Sequence, residues 1–160
     1  MDVTFRDYDP ADADWIVARH QAHYAEAEGF DDSFGALVAK VLARFEATRD
    51  PARERGWIAV DADGARRGSI FCMARDDDTA QLRLFLLDPA LRGHGVGQRM
   101  LDAFTIWARR CGYRRAVLWT HESHRAACAL YARSGWTCRS STPVTSFGRP
   151  LVEQHWDIVL

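Results

Sequence analysis

The segment that most constrains the fold covers residues 85–97 and has the sequence FLLDPALRGHGVG, in which an apolar strand runs through a glycine-rich turn into a helix. Gly93, Gly95 and Gly97 stand at alternate positions. Because glycine has no Cβ, successive backbone N–H groups of such a turn can converge on one centre. The helix that follows adds the positive end of its dipole, which favours anions. The pattern therefore predicts a binding site for phosphate groups.

Two better-known phosphate-binding motifs fit this segment poorly. The dinucleotide fingerprint G-x-G-x-x-G requires a third glycine where the chain has Gln98. A P-loop requires glycine and lysine followed by serine or threonine, which the chain lacks. Arg92, His94 and Arg99 add charge complementarity at the same place, which favours binding over a turn that merely connects two elements. The pattern that remains is R-x-x-G-x-G, beginning at Arg92.

Length and composition indicate one globular domain over residues 1–160. A chain of 160 residues with 48% hydrophobic residues can bury a substantial core. With 21 basic and 22 acidic residues, the net charge of −1 argues against a nucleic-acid partner bound through its phosphates. No apolar run approaches the roughly 18 residues of a spanning helix, so no membrane partner is expected. Four well-separated cysteines without a C-x-x-C pair or a secretory leader favour reduced thiols and a cytoplasmic location.

Hydrophobic periodicity predicts alternating strands and helices. A short strand at residues 3–6 precedes a helix over 10–27, which Asp9 caps. Ser33 caps a second helix, and the apolar face of that helix includes Leu37. Three antiparallel strands at 57–60, 69–74 and 80–87 lead into the phosphate turn and a helix over 95–111. A strand at 116–120 and a helix at 124–134 follow. We expect the last two strands, 136–140 and 155–160, to flank a loop that holds Pro143, Gly148 and Pro150.

Two motifs together carry a family resemblance. The R-x-x-G-x-G pattern follows Leu-Asp-Pro, and the segment LYARSGW occupies residues 130–136. This combination resembles the GNAT superfamily of acetyl-CoA-dependent N-acetyltransferases, and the resemblance covers residues 57–136. Further segments, including SFG at residues 146–148, resemble the acetyltransferase half of bacterial MarR-acetyltransferase fusion proteins.

The resemblance implies a fold and a co-substrate. The fold is α/β, with a mixed, mostly antiparallel sheet of six to seven strands, splayed in the middle and with helices on both faces. The co-substrate is acetyl-CoA, and no metal is implied. His124 stands where many relatives have an asparagine that contacts the coenzyme. The other residues assigned to the coenzyme are Phe85, Leu86 and Leu87 of the strand and Arg92, Gly93, His94, Gly95, Val96, Gly97 and Gln98 of the turn.

Tyr131 matches the general acid of the family. A phenol with a pKa of about 10 stays protonated at neutral pH and can donate its proton to a thiolate whose conjugate acid has a pKa of about 8.5. The sequence contains no G-x-S-x-G elbow and no cysteine in a charged turn, so direct attack by the amine is expected.

The general base is less clearly marked. Many relatives carry a glutamate on the strand before the phosphate turn, but this chain has Gln81 and Arg83 there, and neither accepts a proton at neutral pH. The remaining candidates are Glu28, His121 and Glu122. His121, His124 and Cys128 would share one helix face, but a closed zinc site needs a fourth ligand, so we expect no metal.

An aromatic and polar set of residues is expected to bind the acceptor. These residues are Trp15, Tyr24, Phe30 and Phe34. The expected reaction is acetyl transfer to a primary amine of a small metabolite or amino acid. Two alternatives remain open: acetylation of protein lysines or N-termini, and a non-catalytic acyl-CoA sensor that keeps the turn without needing an acid. A homodimer is expected by analogy with relatives.

Overall fold

A computed structural model describes residues 2–160. Within this range the chain forms seven strands, four α-helices and two short 3-10 turns, Pro10–Asp12 and Pro89–Leu91. The strands are β1 (Thr4–Asp7), β2 (Arg55–Val60), β3 (Arg66–Ala74), β4 (Thr79–Leu87), β5 (Arg115–His121), β6 (Thr137–Ser146) and β7 (Arg149–Val159). The helices are α1 (Ala13–Glu28), α2 (Ser33–Thr48), α3 (Val96–Arg110) and α4 (Arg125–Arg133).

The strands form one sheet in the order β1-β2-β3-β4-β5-β7-β6. Strands β1 to β4 pair antiparallel, as do β6 and β7, whereas β4 and β5 are parallel. The parallel register covers Thr79 with Arg115, Ala80 with Ala116 and Gln81 with Val117, and β4 continues beyond the last of these pairs. The expected α/β fold, with a mostly antiparallel sheet that splays in the middle, is confirmed.

The chain divides into two compact units. The first comprises the residues up to Tyr8 together with residues 50–118 and 158–160, and the second comprises residues 9–49 and 119–157. In the first unit α3 packs on β3 and β4, and its fully buried side chains are Val96, Met100, Leu101, Phe104 and Ala108. In the second unit α1 packs on α2, and the buried side chains include Ile16, Val38, Leu42, Phe45, Leu130 and Trp136.

Aspartate side chains hold the short turns that lead into the first two helices. The predicted cap at Asp9 is confirmed: its carboxylate accepts from the Ala11 N–H at 2.9 Å, and its own N–H donates to the Asp12 carboxylate. Ser33, predicted as a cap, is instead the first residue of α2, and its N–H donates to Oδ1 of Asp31 at 3.0 Å. An Asx turn therefore occupies the expected serine cap position. Leu37, expected in the core, is 41% exposed on this helix.

The C-terminal region forms a long hairpin rather than the expected loop. Residues 137–146 and 149–159 pair over nearly their whole length. Pro143 is tolerated because β6 is the edge strand, where a missing N–H leaves no partner unpaired. Phe147 and Gly148 connect the strands with φ values of 54° and 74°. Such two-residue turns usually carry Asn-Gly or Asp-Gly, which is why Phe-Gly gave no hairpin signal.

One buried histidine couples the second unit to pH. The His20 side chain is 3% exposed, its Nδ1 lies 2.7 Å from the Ile16 carbonyl, and its Nε2 is buried with no hydrogen-bond partner among the described residues. Burial is the main cause that lowers the pKa of His20 to about 4.

We predict that His20 makes folding weaker in acid. Between pH 6.5 and pH 4 the unfolded chain binds this proton and the folded chain does not, so the free energy of unfolding falls as the pH drops. Between pH 7 and pH 5 the loss is about 2 kcal/mol. Urea unfolding of His20→Asn should show a correspondingly smaller loss over this range, with the exposed His94→Gln as control. An equal loss in His20→Asn and the wild type would contradict the assignment.

Candidate active site

The turn between β4 and α3 is held by a carboxylate. Oδ1 of Asp88 accepts from the Ala90 N–H at 3.0 Å, which caps the 3-10 turn that leads to residue 92. Its Oδ2 lies 3.0 Å from the Arg67 guanidinium, which also pairs with Asp61 at 2.8 Å. The backbone N–H of Asp88 in turn donates to the Arg67 carbonyl at 2.7 Å. The entry to the glycine-rich segment therefore has a defined geometry.

Residues 92–97, here called the amide turn, are open to solvent at their first four positions. Gly93 and Gly95 have φ values of 81° and 74°, and an added Cβ at either would meet no atom within 4 Å. Gly95 is the N-cap of α3 and makes no side-chain capping bond. The N–H groups of the first helical turn have no acceptor within the helix. The amide turn can therefore donate several N–H groups to an anion.

The backbone N–H of Arg92, one of the groups predicted to bind the coenzyme, already donates a hydrogen bond within the protein. The N–H of Arg92 donates to the Pro89 carbonyl at 3.2 Å, so only the exposed side chain of Arg92 is available to a ligand. The side chain of His94 is also exposed, whereas Val96 is buried and serves the core of the first unit. Val96 can thus contribute its backbone but not its side chain.

A β-bulge interrupts β4 just before the turn. Ser69 pairs with Leu86 and Phe71 pairs with Arg83, so Leu84 and Phe85 together face Ile70. Leu84 has a φ of 51°, and its carbonyl accepts from the Ser69 hydroxyl at 2.7 Å. The bulge redirects the backbone at Phe85, directly before Leu86 and Leu87. The family resemblance assigned these three residues, Phe85, Leu86 and Leu87, to coenzyme binding.

In the second unit, a histidine joins an acid and a hydroxyl. Nε2 of His124 lies 2.6 Å from Oε2 of Glu28, and its Nδ1 lies 3.0 Å from the Thr120 hydroxyl. The side chains of His124 and Glu28 are only 13% and 12% exposed. Burial by itself disfavours the Glu28 carboxylate, but interactions with His124, Ser123 and His121 outweigh it and leave the pKa of Glu28 below its usual value.

The three candidate bases have different surroundings. The ring of His121 lies 5.3 Å from that of His124, and burial is the main cause that lowers the pKa of His121. Glu28 and His121 therefore belong to one group of side chains. Glu122 does not: it is exposed, and it lines an open cavity of about 690 Å³ beside the β6–β7 hairpin.

Tyr131 is a buried residue of α4. It is 4% exposed, and its ring lies 5.9 Å from Trp136 and 6.0 Å from Trp156. Burial is the main cause that raises the pKa of Tyr131 above its ordinary value, so the phenol keeps its proton at every physiological pH.

Three of the four residues predicted to bind the acceptor come together. The ring of Tyr24 lies 5.5 Å from Phe30 and 5.0 Å from Phe34. Phe147, which sequence reasoning did not assign to this group, lies 4.9 Å from Phe30 and 5.0 Å from Phe34. Trp15 is half-buried on α1, and no ring contact among the described residues joins it to these side chains.

Sequence reasoning missed two further roles. It considered His124 as a coenzyme contact and as a member of a rejected zinc site, but not as the partner of Glu28, because no local signal reveals a carboxylate 96 positions earlier in the chain. It quoted Phe147 only as part of a resemblance, since a phenylalanine before glycine does not by itself mark a hairpin tip.

Within residues 2–160, no group of three or more histidine, cysteine, aspartate or glutamate side chains could hold a metal ion. In the same range no helix is both long and apolar enough to cross a membrane.

Comparison with known proteins identifies the family. The Acetyltransferase (GNAT) family matches residues 13–136, a stretch that includes the amide turn and Tyr131. The chain belongs to this family. The expected resemblance to the GNAT superfamily is confirmed.

Two relatives match shorter stretches. Mycothiol acetyltransferase of Geodermatophilus obscurus is 39% identical over 51 residues, which cover 32% of this chain and 17% of the relative. Amino-acid acetyltransferase of Mycobacterium tuberculosis is 33% identical over 69 residues, which cover 43% of this chain and 37% of the relative. The chain thus matches well under half the length of either relative.

Solved structures share the fold over nearly the whole chain. A Salmonella typhimurium protein, determined with its cofactor acetyl-CoA, has a TM-score of 0.74 and 22% identity over 99% of this chain and 94% of that one. Spermidine N-acetyltransferase from Vibrio cholerae, in complex with CoA and spermine, has a TM-score of 0.74 and 16% identity over 98% and 95%. A GNAT acetyltransferase from Streptococcus pneumoniae has a TM-score of 0.75 and 18% identity over 99% and 100%.

We predict that a methyl group in the amide turn weakens coenzyme binding. Gly95→Ala adds a Cβ where N–H groups should meet a diphosphate, and the loss of about one charged hydrogen bond raises the Kd for CoA about tenfold. Gly112→Ala is the matched control. Gly112 follows the other end of α3, has a φ of 85°, and an added Cβ there also meets nothing within 4 Å.

Both variants should lose about 1 kcal/mol of stability, because alanine is strained at positive φ. Titration calorimetry with CoA should separate them, with only Gly95→Ala binding more weakly. Equal Kd values for the two variants would show that the amide turn does not bind the diphosphate.

Proposed function

We propose that the chain transfers the acetyl group of acetyl-CoA to the primary amine of a small metabolite or amino acid. The observation that carries this proposal is the exposed amide turn at the N-terminus of α3, in a chain that belongs to the GNAT family. The Salmonella structure with acetyl-CoA and the Vibrio structure with CoA and spermine support the co-substrate and the kind of acceptor.

The diphosphate of the coenzyme is bound by the amide turn. Backbone N–H groups of residues 93–97 donate to its oxygens, and the side chains of Arg92 and His94 add hydrogen bonds from the solvent side. The bulge at Leu84 turns the backbone of Phe85 away from the regular ladder, so that residues 85–87 accompany the pantetheine arm and polarise the acetyl carbonyl. Binding thereby positions the thioester for attack.

The acceptor must lose a proton for the reaction to proceed. We assign the general base to Glu28, because its carboxylate stays ionised and its Oε1 has no hydrogen-bond partner among the described residues, while Nε2 of His124 lies 2.6 Å from Oε2 and orients the carboxylate. This arrangement argues against His124 as a coenzyme ligand. Thr120 fixes the ring orientation through Nδ1.

The transfer itself follows a direct route. The neutral amine nitrogen attacks the thioester carbonyl carbon, and a tetrahedral oxyanion forms. The carbon–sulfur bond then breaks, and the thiolate takes the phenolic proton of Tyr131. The attacking nitrogen, which still carries an extra proton, releases it to the phenolate, so that a neutral amide forms and the phenol is restored. Burial keeps that phenol protonated before the step, which is the state that a general acid requires. No side chain forms a covalent bond to the acetyl group.

Tyr131→Phe removes the proposed acid and should lower kcat about 100-fold, while the Kd for CoA stays unchanged. The measurement is thiol release from acetyl-CoA over a panel of amino acids, diamines and lysine peptides. Unchanged turnover in Tyr131→Phe would refute the role of the phenol. Acetyl-CoA binding without thiol release from any acceptor would favour a sensor instead.

Glu28→Gln and Glu122→Gln form a matched pair that tests the base. Glu28→Gln should lower kcat about 100-fold, because the amide cannot accept the proton that the amine must lose. Glu122→Gln should leave kcat unchanged, because Glu122 is exposed beside the hairpin cavity. The assignment is wrong if Glu122→Gln has the larger effect or if neither substitution changes the rate.

A further inference from the structure

Six rings of the second unit form one aromatic cluster. Ring centroids of neighbouring members lie between 4.7 and 6.3 Å apart. Phe30, at the centre, is 3% exposed, and the other five residues are half-buried. The Glu28 carboxylate lies beside the cluster through its contact with His124. The members are Tyr24, Phe30, Phe34, His121, His124 and Phe147.

Polar atoms at this cluster lack partners. Oε1 of Glu28 and Nδ1 of His121 are buried and have no hydrogen-bond partner among the described residues. Leaving such atoms unpaired is costly, so their presence points to a ligand that supplies hydrogen-bond donors. A primary ammonium group has three N–H donors, and the faces of aromatic rings attract cations. The cluster therefore has the chemistry of a site for an alkylammonium ion.

Phe147 is held at the cluster at a cost in backbone energy. Its φ of 54° is in the left-handed region, which disfavours a bulky side chain by about 1–2 kcal/mol. The turn is nevertheless docked, because the Asp31 N–H donates to the Phe147 carbonyl at 3.0 Å. Gly148 is required next to it, since a Cβ there would lie 2.9 Å from Oδ2 of Asp31. The hairpin tip thus holds an aromatic ring against Phe30 and Phe34.

Charge around the cluster favours a cation. The segment EAEGFDD, residues 26–32, carries four carboxylates, of which Glu26, Asp31 and Asp32 are exposed. Arg149 is a basic residue close to this segment and opposes its negative charge. Its Cδ lies 3.6 Å from the position that a Cβ on Gly29 would take. An acidic rim attracts an ammonium ion and repels a substrate carboxylate.

We propose that the acceptor is an alkylamine, arylalkylamine or diamine that carries no carboxylate beside its reactive amine. This inference rests on the proposed acetyl transfer and narrows its acceptor class. The ammonium group lies between Glu28 and the ring faces, and the Glu28 carboxylate, oriented by His124, removes its proton. Phe147 forms the wall along the apolar chain of the amine.

Matched acceptors that differ by one carboxylate test the class. 3-Methylbutylamine is compared with leucine, and 2-phenylethylamine with phenylalanine, by thiol release from acetyl-CoA. In each pair kcat/KM for the amine should be at least about tenfold higher than for the amino acid, because the acidic rim repels the carboxylate of the amino acid. Equal or higher values for the amino acids overturn the acceptor class and leave acetyl transfer intact. Absence of release with every acceptor overturns both proposals.

Phe147→Asn tests the wall without breaking the hairpin. Asparagine before glycine suits this turn, so the melting temperature should be kept or raised. Loss of the apolar wall along the acceptor chain should raise the KM for cadaverine roughly tenfold and leave the KM for acetyl-CoA unchanged. Val159→Asn, which replaces an apolar side chain that is 81% exposed outside the cluster, is the control and should change neither KM. An unchanged KM for cadaverine in Phe147→Asn contradicts the proposal.

Discussion

Backbone N–H groups that have no acceptor within their own helix are the constraint on which the account depends. At the start of α3 the glycines leave these groups uncovered, and the capping side chain that most helices have is missing. The helix can begin in this way because Val96, Met100 and Leu101 anchor it in the core of the first unit. Asp88 and Arg67 fix the approach from β4. Stability comes from the core, which leaves the helix terminus available for a ligand.

Burial has opposite uses at the two proposed proton-transfer groups. At Tyr131 it keeps the phenol protonated, so that the proton is available to a leaving thiolate. At Glu28 it is outweighed by neighbouring imidazoles and a hydroxyl, so the carboxylate stays ionised in a site that is mostly closed to water. An acid and a base with separated pKa values are what acetyl transfer to an amine requires at neutral pH.

The sequence could predict the features that rest on local patterns. Alternating apolar residues located β2 to β4, and the glycines located the start of α3, because these signals depend on near neighbours. The hairpin of β6 and β7 was missed because its turn is Phe-Gly and its strands contain Pro143 and Pro150, which usually mark loops. The pair formed by Glu28 and His124 joins distant parts of the chain, and no local pattern encodes such a contact.

The most direct measurement is amide hydrogen exchange of residues 93–97 in the presence of CoA and of pantetheine, which lacks the diphosphate. If N–H groups of the amide turn hold the diphosphate, CoA slows their exchange and pantetheine does not. Unchanged exchange with saturating CoA, or equal slowing by pantetheine, would contradict the account.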